Sequence, residues 1–403
     1  MKLHKSKVKP KHEIDKEKQF LFHIFATYCQ PDASLTQKDN HMKTKILSAV
    51  CYFALISALS LQSCYEKPSK KYTKGYFPDS VCNLEIVNSI YDEINMDLRL
   101  LRCTNFLTFA SNRNTQGGSY DLNSKIFTFI WNQENGKFDA ADNLYGQDEL
   151  YNKMAEATRT DANEYGPTFY RRLIKNEQNN NQFINYLFYS DDQKGTLDLR
   201  MLTFDEKGTY SENLISELKD KIVDLSFASN QQFNEGYFTL LTEDFSSFLP
   251  SGIEAETSIF QLVFCTDETD NYDLYKIDIP QNENLDSFLL QASENGKTPI
   301  TELNSAQDDR CPSITSNLMV FSSNRPGGLG GYDFYYSILK DGKWSTPVNF
   351  GEPINSPYDE YRARVVKAEE YENDVLIFSS NRPGGNGGYD LYYTGIELMR
   401  EHK

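Results

Sequence analysis

The stretch Phe321-Ser-Ser-Asn-Arg325-Pro-Gly-Gly-Leu-Gly-Gly331-Tyr-Asp333-Phe-Tyr-Tyr336 recurs almost letter for letter as Phe378-Ser-Ser-Asn-Arg382-Pro-Gly-Gly-Asn-Gly-Gly388-Tyr-Asp390-Leu-Tyr-Tyr393. A third copy lies far upstream, as Phe109-Ala-Ser-Asn-Arg113 followed by Gly117, Gly118, Tyr120, Asp121 and Leu122. Two weaker copies, Phe188-Tyr-Ser-Asp191 with Leu197-Asp198-Leu199 and Phe264-Cys-Thr-Asp267 with Tyr272-Asp273-Leu274-Tyr275, lack the arginine and the glycines. Sequence that repeats at this spacing encodes one supersecondary unit, which buries its apolar faces only against its neighbours.

Each copy is preceded by an acidic signal, clearest in Asn88-Ser-Ile-Tyr-Asp92-Glu93 and Asn355-Ser-Pro-Tyr-Asp359-Glu360, and looser at Asn163-Glu164, Asn234-Glu235 and Asp308-Asp309. A short apolar run follows each signal, and Gly342-Lys-Trp344-Ser-Thr-Pro347-Val-Asn-Phe350 follows the fourth copy. Every unit therefore offers four short strands separated by turn residues. Four-stranded units arranged in a ring are propeller blades. The expectation is an all-β chain: a β-propeller of five four-stranded blades over residues 76–398. Six blades would require Phe227-Ala-Ser-Asn230 to be a second strand of its own, and too few residues precede it to supply a first. The last copy stops after its third strand, while Phe77–Glu93 looks like Trp344–Glu360, so an N-terminal strand from Phe77–Ile86 is expected to close the ring and hide the final edge.

The repeats resemble the TolB-type, WD-repeat-like propellers of bacterial envelope proteins, some of which sit beside OmpA-like peptidoglycan-binding domains. The motifs quoted belong to the propeller alone, so no peptidoglycan function is implied. A second resemblance lies upstream. Lys43-Thr-Lys45, an uncharged apolar stretch from Ile46 to Leu61, and Leu61-Gln-Ser-Cys64 resemble a bacterial lipoprotein signal with its lipobox. About 16 apolar residues fall short of the roughly 20 that span a bilayer. The resemblance implies cleavage after Ser63 and acylation of Cys64. It makes residues 1–41 an upstream extension with Met42 as the natural start, 42–63 the signal, 64–75 the lipidated cysteine and tether, and 399–403 a tail. It also implies attachment through lipid to the outer membrane, on the periplasmic side.

The formal charge of −17 is unevenly spread: residues 1–64 hold ten Lys, no Arg and five acids, leaving 31 basic and 53 acidic residues after them. Such a field offers no basic stripe for a phosphate backbone, which excludes nucleic acid as partner. Four histidines (His4, His12, His23, His41) precede the signal cysteine and the fifth is His402, so the propeller holds no imidazole base and no His-ligated zinc. Cys82, Cys103, Cys265 and Cys311 follow Cys64 without metal spacing, and three disulfide connectivities are open to them. The one cofactor the composition leaves open is Ca²⁺ in a carboxylate-lined axial channel, without the usual calcium-loop spacing.

In a blade, the acidic motifs and the Ser-Asn-Arg loops emerge on one face, the default binding surface of the fold. The candidate site residues are Arg113, Arg325 and Arg382, expected to fork onto Asp121, Asp333 and Asp390, together with Asp92, Glu93, Asp359 and Glu360. Leu329 and Asn386 differ between otherwise matching loops and are where specificity would sit. Five near-equivalent copies offer no inequality of the kind an acid–base pair needs. The expectation is therefore a non-catalytic envelope lipoprotein that binds a protein or a cell-wall glycan; the alternative is a carboxylate-dependent glycan hydrolase or lyase.

Overall fold

The computed structural model describes residues 74–101, 104–142, 149–175, 181–205, 211–225, 232–242, 259–280, 285–291, 296–367 and 370–397. All belong to a compact unit spanning Lys71–Lys403. The signal segment, Cys64, most of the tether, Cys103 and the tail lie outside them.

The described chain forms five antiparallel sheets of the expected kind. Blade 1 consists of Glu93–Leu101, Thr104–Ser111, Asp121–Trp131 and Phe138–Asp142; blade 2 of Glu164–Lys175, Asn181–Asp191, Asp198–Asp205 and Ile222–Asp224. Blade 3 holds Glu235–Thr242, Ile259–Thr266, Asp273–Asp278 and Lys297–Pro299. Blade 4 holds Asp309–Thr315, Leu318–Ser323 and Asp333–Lys340, with Lys343–Trp344 and Val348–Asn349 sharing its outer edge. Blade 5 is Glu360–Val366, Asp374–Ser380 and Asp390–Ile396, and its outer strand is Cys82–Asn83, paired with Tyr393 and Tyr392. First strands of successive blades are neighbours all the way round, blade 5 meeting blade 1, so they form the inner ring.

Second strands send apolar side chains to both of their faces, and in blades 4 and 5 they read as the short runs Leu318–Phe321 and Val375–Phe378. In blade 1, Leu107 and Phe109 enter the core shared with blade 5, while Phe106 and Ala110 enter the core shared with blade 2. Five such cores, one between each pair of neighbouring blades, hold the ring together. Three short helices, absent from the sequence expectation, occupy connections. Glu149–Thr158 and Leu214–Lys219 bury Leu150, Tyr151, Met154, Leu214 and Leu218 in the core between blades 1 and 2, and Leu285–Gln291 adds Leu289 to the next core.

The register corrects one repeat. Glu164 pairs with Asp191 as Glu93 pairs with Ser111, so Tyr189 rather than Phe188 occupies the place of Phe109. Gly75 bridges Tyr371, and Phe77 stacks on the Tyr371 ring at 4.0 Å.

Blade-to-blade latches explain the glycine-rich loops. The residue before each inner strand accepts a backbone N–H from the residue before the preceding blade's third strand: Tyr120 to Asn163, Leu197 to Asn234, Tyr272 to Asp308, Tyr332 to Asp359 and, across the closure, Tyr389 to Asp92. Within each blade that residue also pairs with the end of the second strand, and the acid and amide swap places. Blades 1, 4 and 5 use Asp92 with Asn112, Asp308 with Asn324 and Asp359 with Asn381; blades 2 and 3 use Asn163 with Asp192 and Asn234 with Asp267. A Cβ on Gly330 would lie 2.0 Å from the Tyr358 carbonyl, and one on Gly387 1.9 Å from that of Tyr91, so close backbone approach requires glycine there.

Candidate functional site

The predicted residues sort into two groups. The first is a buried brace at the head of each inner strand. Glu93, Glu164, Asp309 and Glu360 are fully buried and Glu235 nearly so. Glu93 accepts from Ser89 and Ser111 and pairs with Arg113 at 2.7 Å; Glu360 accepts from Ser356 and Ser380 and pairs with Arg382 at 2.9 Å; Asp309 pairs with Arg325 at 2.5 Å. The three arginines also cap carbonyls of Val87, Leu303 and Ile354 and lie over Phe109, Phe321 and Phe378. This corrects the expected fork onto Asp121, Asp333 and Asp390. Those acids are buried at the start of the third strands, and Asp333 and Asp390 instead accept the loop amides of Leu329 and Gly330, and of Asn386 and Gly387. The second group is the latch, Asp92 and Asp359, described above. Leu329 and Asn386 are exposed at the loop tips.

Blade 2 breaks the pattern. Gln193 stands where Arg113 stands in blade 1, so Glu164 keeps its Thr160 hydrogen bonds but meets no cation, and its Oε2 has no partner among the described residues. Burial pushes its carboxyl up to about 8, and Asp121 and Asp191 add to the effect against the pull of Thr160. Asp191 is neutralised separately by a forked pair with Arg200 at 2.7 and 3.0 Å.

The surface that sequence reading missed is built from the residues beside these braces. One position after each brace acid stand Ile94, Tyr165, Gly236, Arg310 and Tyr361; just before each third strand stand Tyr120, Leu197, Tyr272, Tyr332 and Tyr389. Every tyrosine in these two sets is half-buried. Tyr120 and Tyr165 have ring centres 5.3 Å apart, Tyr332 and Tyr361 4.9 Å, and Tyr361 and Tyr389 5.9 Å. Three of the hydroxyls donate to latch acids: Tyr120 to Asp92, Tyr332 to Asp308 and Tyr389 to Asp359. Burial pushes the hydroxyls of Tyr120, Tyr165 and Tyr361 far above the ordinary tyrosine value, so they remain proton donors. The signal was present in the sequence, since Tyr-Asp recurs in four copies as Tyr120-Asp121, Tyr272-Asp273, Tyr332-Asp333 and Tyr389-Asp390.

One residue deeper, each inner strand carries a bulge whose residue has positive φ: Asn95 (51°), Gly166 (58°), Tyr237 (60°), Cys311 (55°) and Arg362 (41°). Arg362 crosses the axis, donating to Pro167 O at 2.9 Å, Thr168 Oγ1 at 2.6 Å and Phe238 O at 3.3 Å. Among the described residues no group of three or more His, Cys, Asp or Glu is placed to hold a metal ion, and Cys82, Cys265 and Cys311 are free thiols.

No family model matches the sequence, and no curated protein matches it. Solved structures do match the fold. An endo-arabinase from Bacteroides thetaiotaomicron VPI-5482 is 12% identical, aligned over 79% of this chain and 97% of its own, with a TM-score of 0.41. The catalytic domain of the Coprinopsis cinerea GH62 α-L-arabinofuranosidase is 9% identical over 81% and 97%, with a TM-score of 0.39. A glycosyl hydrolase from Bacteroides ovatus is 8% identical over 83% and 94%, with a TM-score of 0.38. At such distances the likeness concerns the fold. The expectation of a non-catalytic module, and of a chain that is no enzyme, is corrected at its premise, because the five copies are not equivalent. Arg310, Gly236 and Ile94 replace one another around the ring, and Glu164 alone of the brace acids meets neither Arg nor Lys among the described residues. What the chain is similar to is a set of propeller-shaped glycoside hydrolases.

Proposed function

We propose that the chain cleaves glycans at the tyrosine-lined face, with latch carboxylates supplying the proton chemistry. The observation that supports this reading is the aromatic run Tyr332–Tyr361–Tyr389 with Asp308 and Asp359 hydrogen-bonded along it. Half-exposed aromatic rings are suited to the apolar faces of sugar rings, and glycoside hydrolysis needs two carboxyl groups flanking the bond to be broken. Tyr332 joins the two acids, its hydroxyl donating to Asp308 and its N–H to Asp359. We assign one of them to protonating the leaving oxygen and the other to activating water or stabilising the charge that develops on the sugar.

The test exploits the swap of acid and amide. Asn163 and Asn234 occupy the same latch position in blades 2 and 3 opposite Asp192 and Asp267, so the exchanges Asp308→Asn with Asn324→Asp and Asp359→Asn with Asn381→Asp are compatible with the fold. Release of reducing ends from a panel of neutral and acidic polysaccharides is expected from the parent chain, with a loss of about 100-fold or more in kcat in either variant at unchanged melting temperature. Variants as active as the parent, or a parent that cleaves nothing in the panel, would overturn the proposal.

We also infer export and anchoring through an acylated Cys64, on the support of Lys43–Cys64, and an outer-membrane, periplasm-facing location. The repeat motif supports kinship with the TolB-type envelope propellers.

A further inference from the structure

We propose that the glycan this face accepts carries a carboxylate, and that Arg310 is the residue that recognises it. The inference rests on the glycan reading above and narrows it to chains containing uronic acid.

Arg310 holds the position filled by Ile94, Tyr165, Gly236 and Tyr361 in the other blades. Its guanidinium carbon lies 4.3 Å from the ring centre of Tyr272, 5.4 Å from that of Tyr237, 5.7 Å from Tyr361 and 5.8 Å from Tyr332. Its hydrogen bond to the Tyr237 hydroxyl is long, 3.4 Å from Nη2, and its Nε is buried without a partner among the described residues. Arg113, Arg200, Arg325, Arg364 and Arg382 each face a carboxylate. Arg310 does not among the described residues, although Asp308 is two residues away; Asp308 accepts the N–H of Tyr272 and the hydroxyl of Tyr332.

Deeper on the axis the charge balance has the same sign. Arg362 is spent on carbonyls and a hydroxyl, Arg364 lies 3.4 Å from Asp97, and Asp97 is the acid that attracts both. In a chain of net charge −17, Arg310 thus stands without a carboxylate partner among the described residues, on a face whose latch acids are engaged by tyrosine hydroxyls and backbone amides. A neutral sugar leaves that charge uncompensated, whereas a planar carboxylate matches the fork of a guanidinium whose faces are shielded by aromatic rings. The adjacent Tyr332–Tyr361–Tyr389 run gives the sugar ring bearing that carboxylate a surface to lie on.

Titration calorimetry on the full chain tests this with tetrasaccharides of polygalacturonate and of alginate, each against its methyl ester, which removes the charge at constant length and linkage, and with a neutral xylan tetramer. The parent is expected to bind at least one acid form about tenfold or more tighter than its ester, the range a charge-assisted hydrogen bond gives. Arg310→Met, which keeps the apolar packing, should bring acid and ester to equal affinity without loss for the ester, and Arg310→Lys should restore part of the preference. Acid and ester bound equally by the parent, or a preference that survives in a folded Arg310→Met, refutes the inference while glycan binding itself stands. Absence of binding by every sugar removes the glycan reading and this inference together.

Discussion

Glu164 offers a quantitative test of how the blades are braced. Its carboxyl titrates near 8 in the folded chain against an ordinary 4.5, so the folded state binds the proton more tightly than the unfolded state does. The stability that comes from the protonated form is complete below pH 4.5 and is lost as pH rises towards 8, at about 1.4 kcal/mol per unit. At pH 7, about 2.5 units above the ordinary value, the cost is about 3 kcal/mol, a figure that applies because the side chain is fully buried. Glu164→Gln keeps an acceptor for Thr160 and removes the titration. The variant should therefore match the parent at pH 4.5 and exceed it by about 3 kcal/mol at pH 7, or about 4 °C in melting temperature for a domain of this size. Thermal melts of both proteins at half-unit steps from pH 4.5 to 8 provide the assay. Parallel curves across that window would refute the argument, as would a variant less stable than the parent at pH 7.

Arg382→Ala leaves Glu360 buried without its cation and should cost about 3 kcal/mol in denaturant unfolding, with the same order expected for Arg325→Ala. Gly330→Ala pushes a methyl into the Tyr358 carbonyl and should destabilise by about 2 kcal/mol or more, whereas Gly327→Ala meets no neighbouring atom and is opposed only by its φ of +97°. Membrane fractionation is expected to show Cys64→Ala released into the soluble fraction with its propeller intact, because about 0.8 kcal/mol of attachment per buried methylene goes with the acyl chain.

The architecture was legible because Phe-Ser-Ser-Asn-Arg and Tyr-Asp are repeated signals, and repetition survives the loss of letters in blades 2 and 3. Register was less secure: Phe188 and Tyr189 are both aromatic, and only the pairing of Glu164 with Asp191 decides between them. The arginine partners were misassigned because proximity along the chain favoured Asp121, Asp333 and Asp390, whereas the chosen carboxylates arrive from the inner strand across the sheet. The tyrosine face was missed for a related reason. Its members come from all five blades, and Arg310 becomes conspicuous only once the ring aligns it with Ile94, Tyr165, Gly236 and Tyr361.

Arg362 has a consequence for how the molecule comes apart. Stacked linear repeats touch only their nearest neighbours, and their stability is close to a sum of local terms, so they can fray from an end. Here one side chain from blade 5 donates to the backbone or side chains of blades 1, 2 and 3, at Met96, Pro167, Thr168 and Phe238. Detaching blade 5 therefore strands carbonyls in three others, and loosening any of those three leaves a buried guanidinium unsatisfied. A closed ring with such a spoke has no terminal unit to yield first, and hydrogen exchange of its inner-strand amides should proceed through a single opening that involves the whole ring.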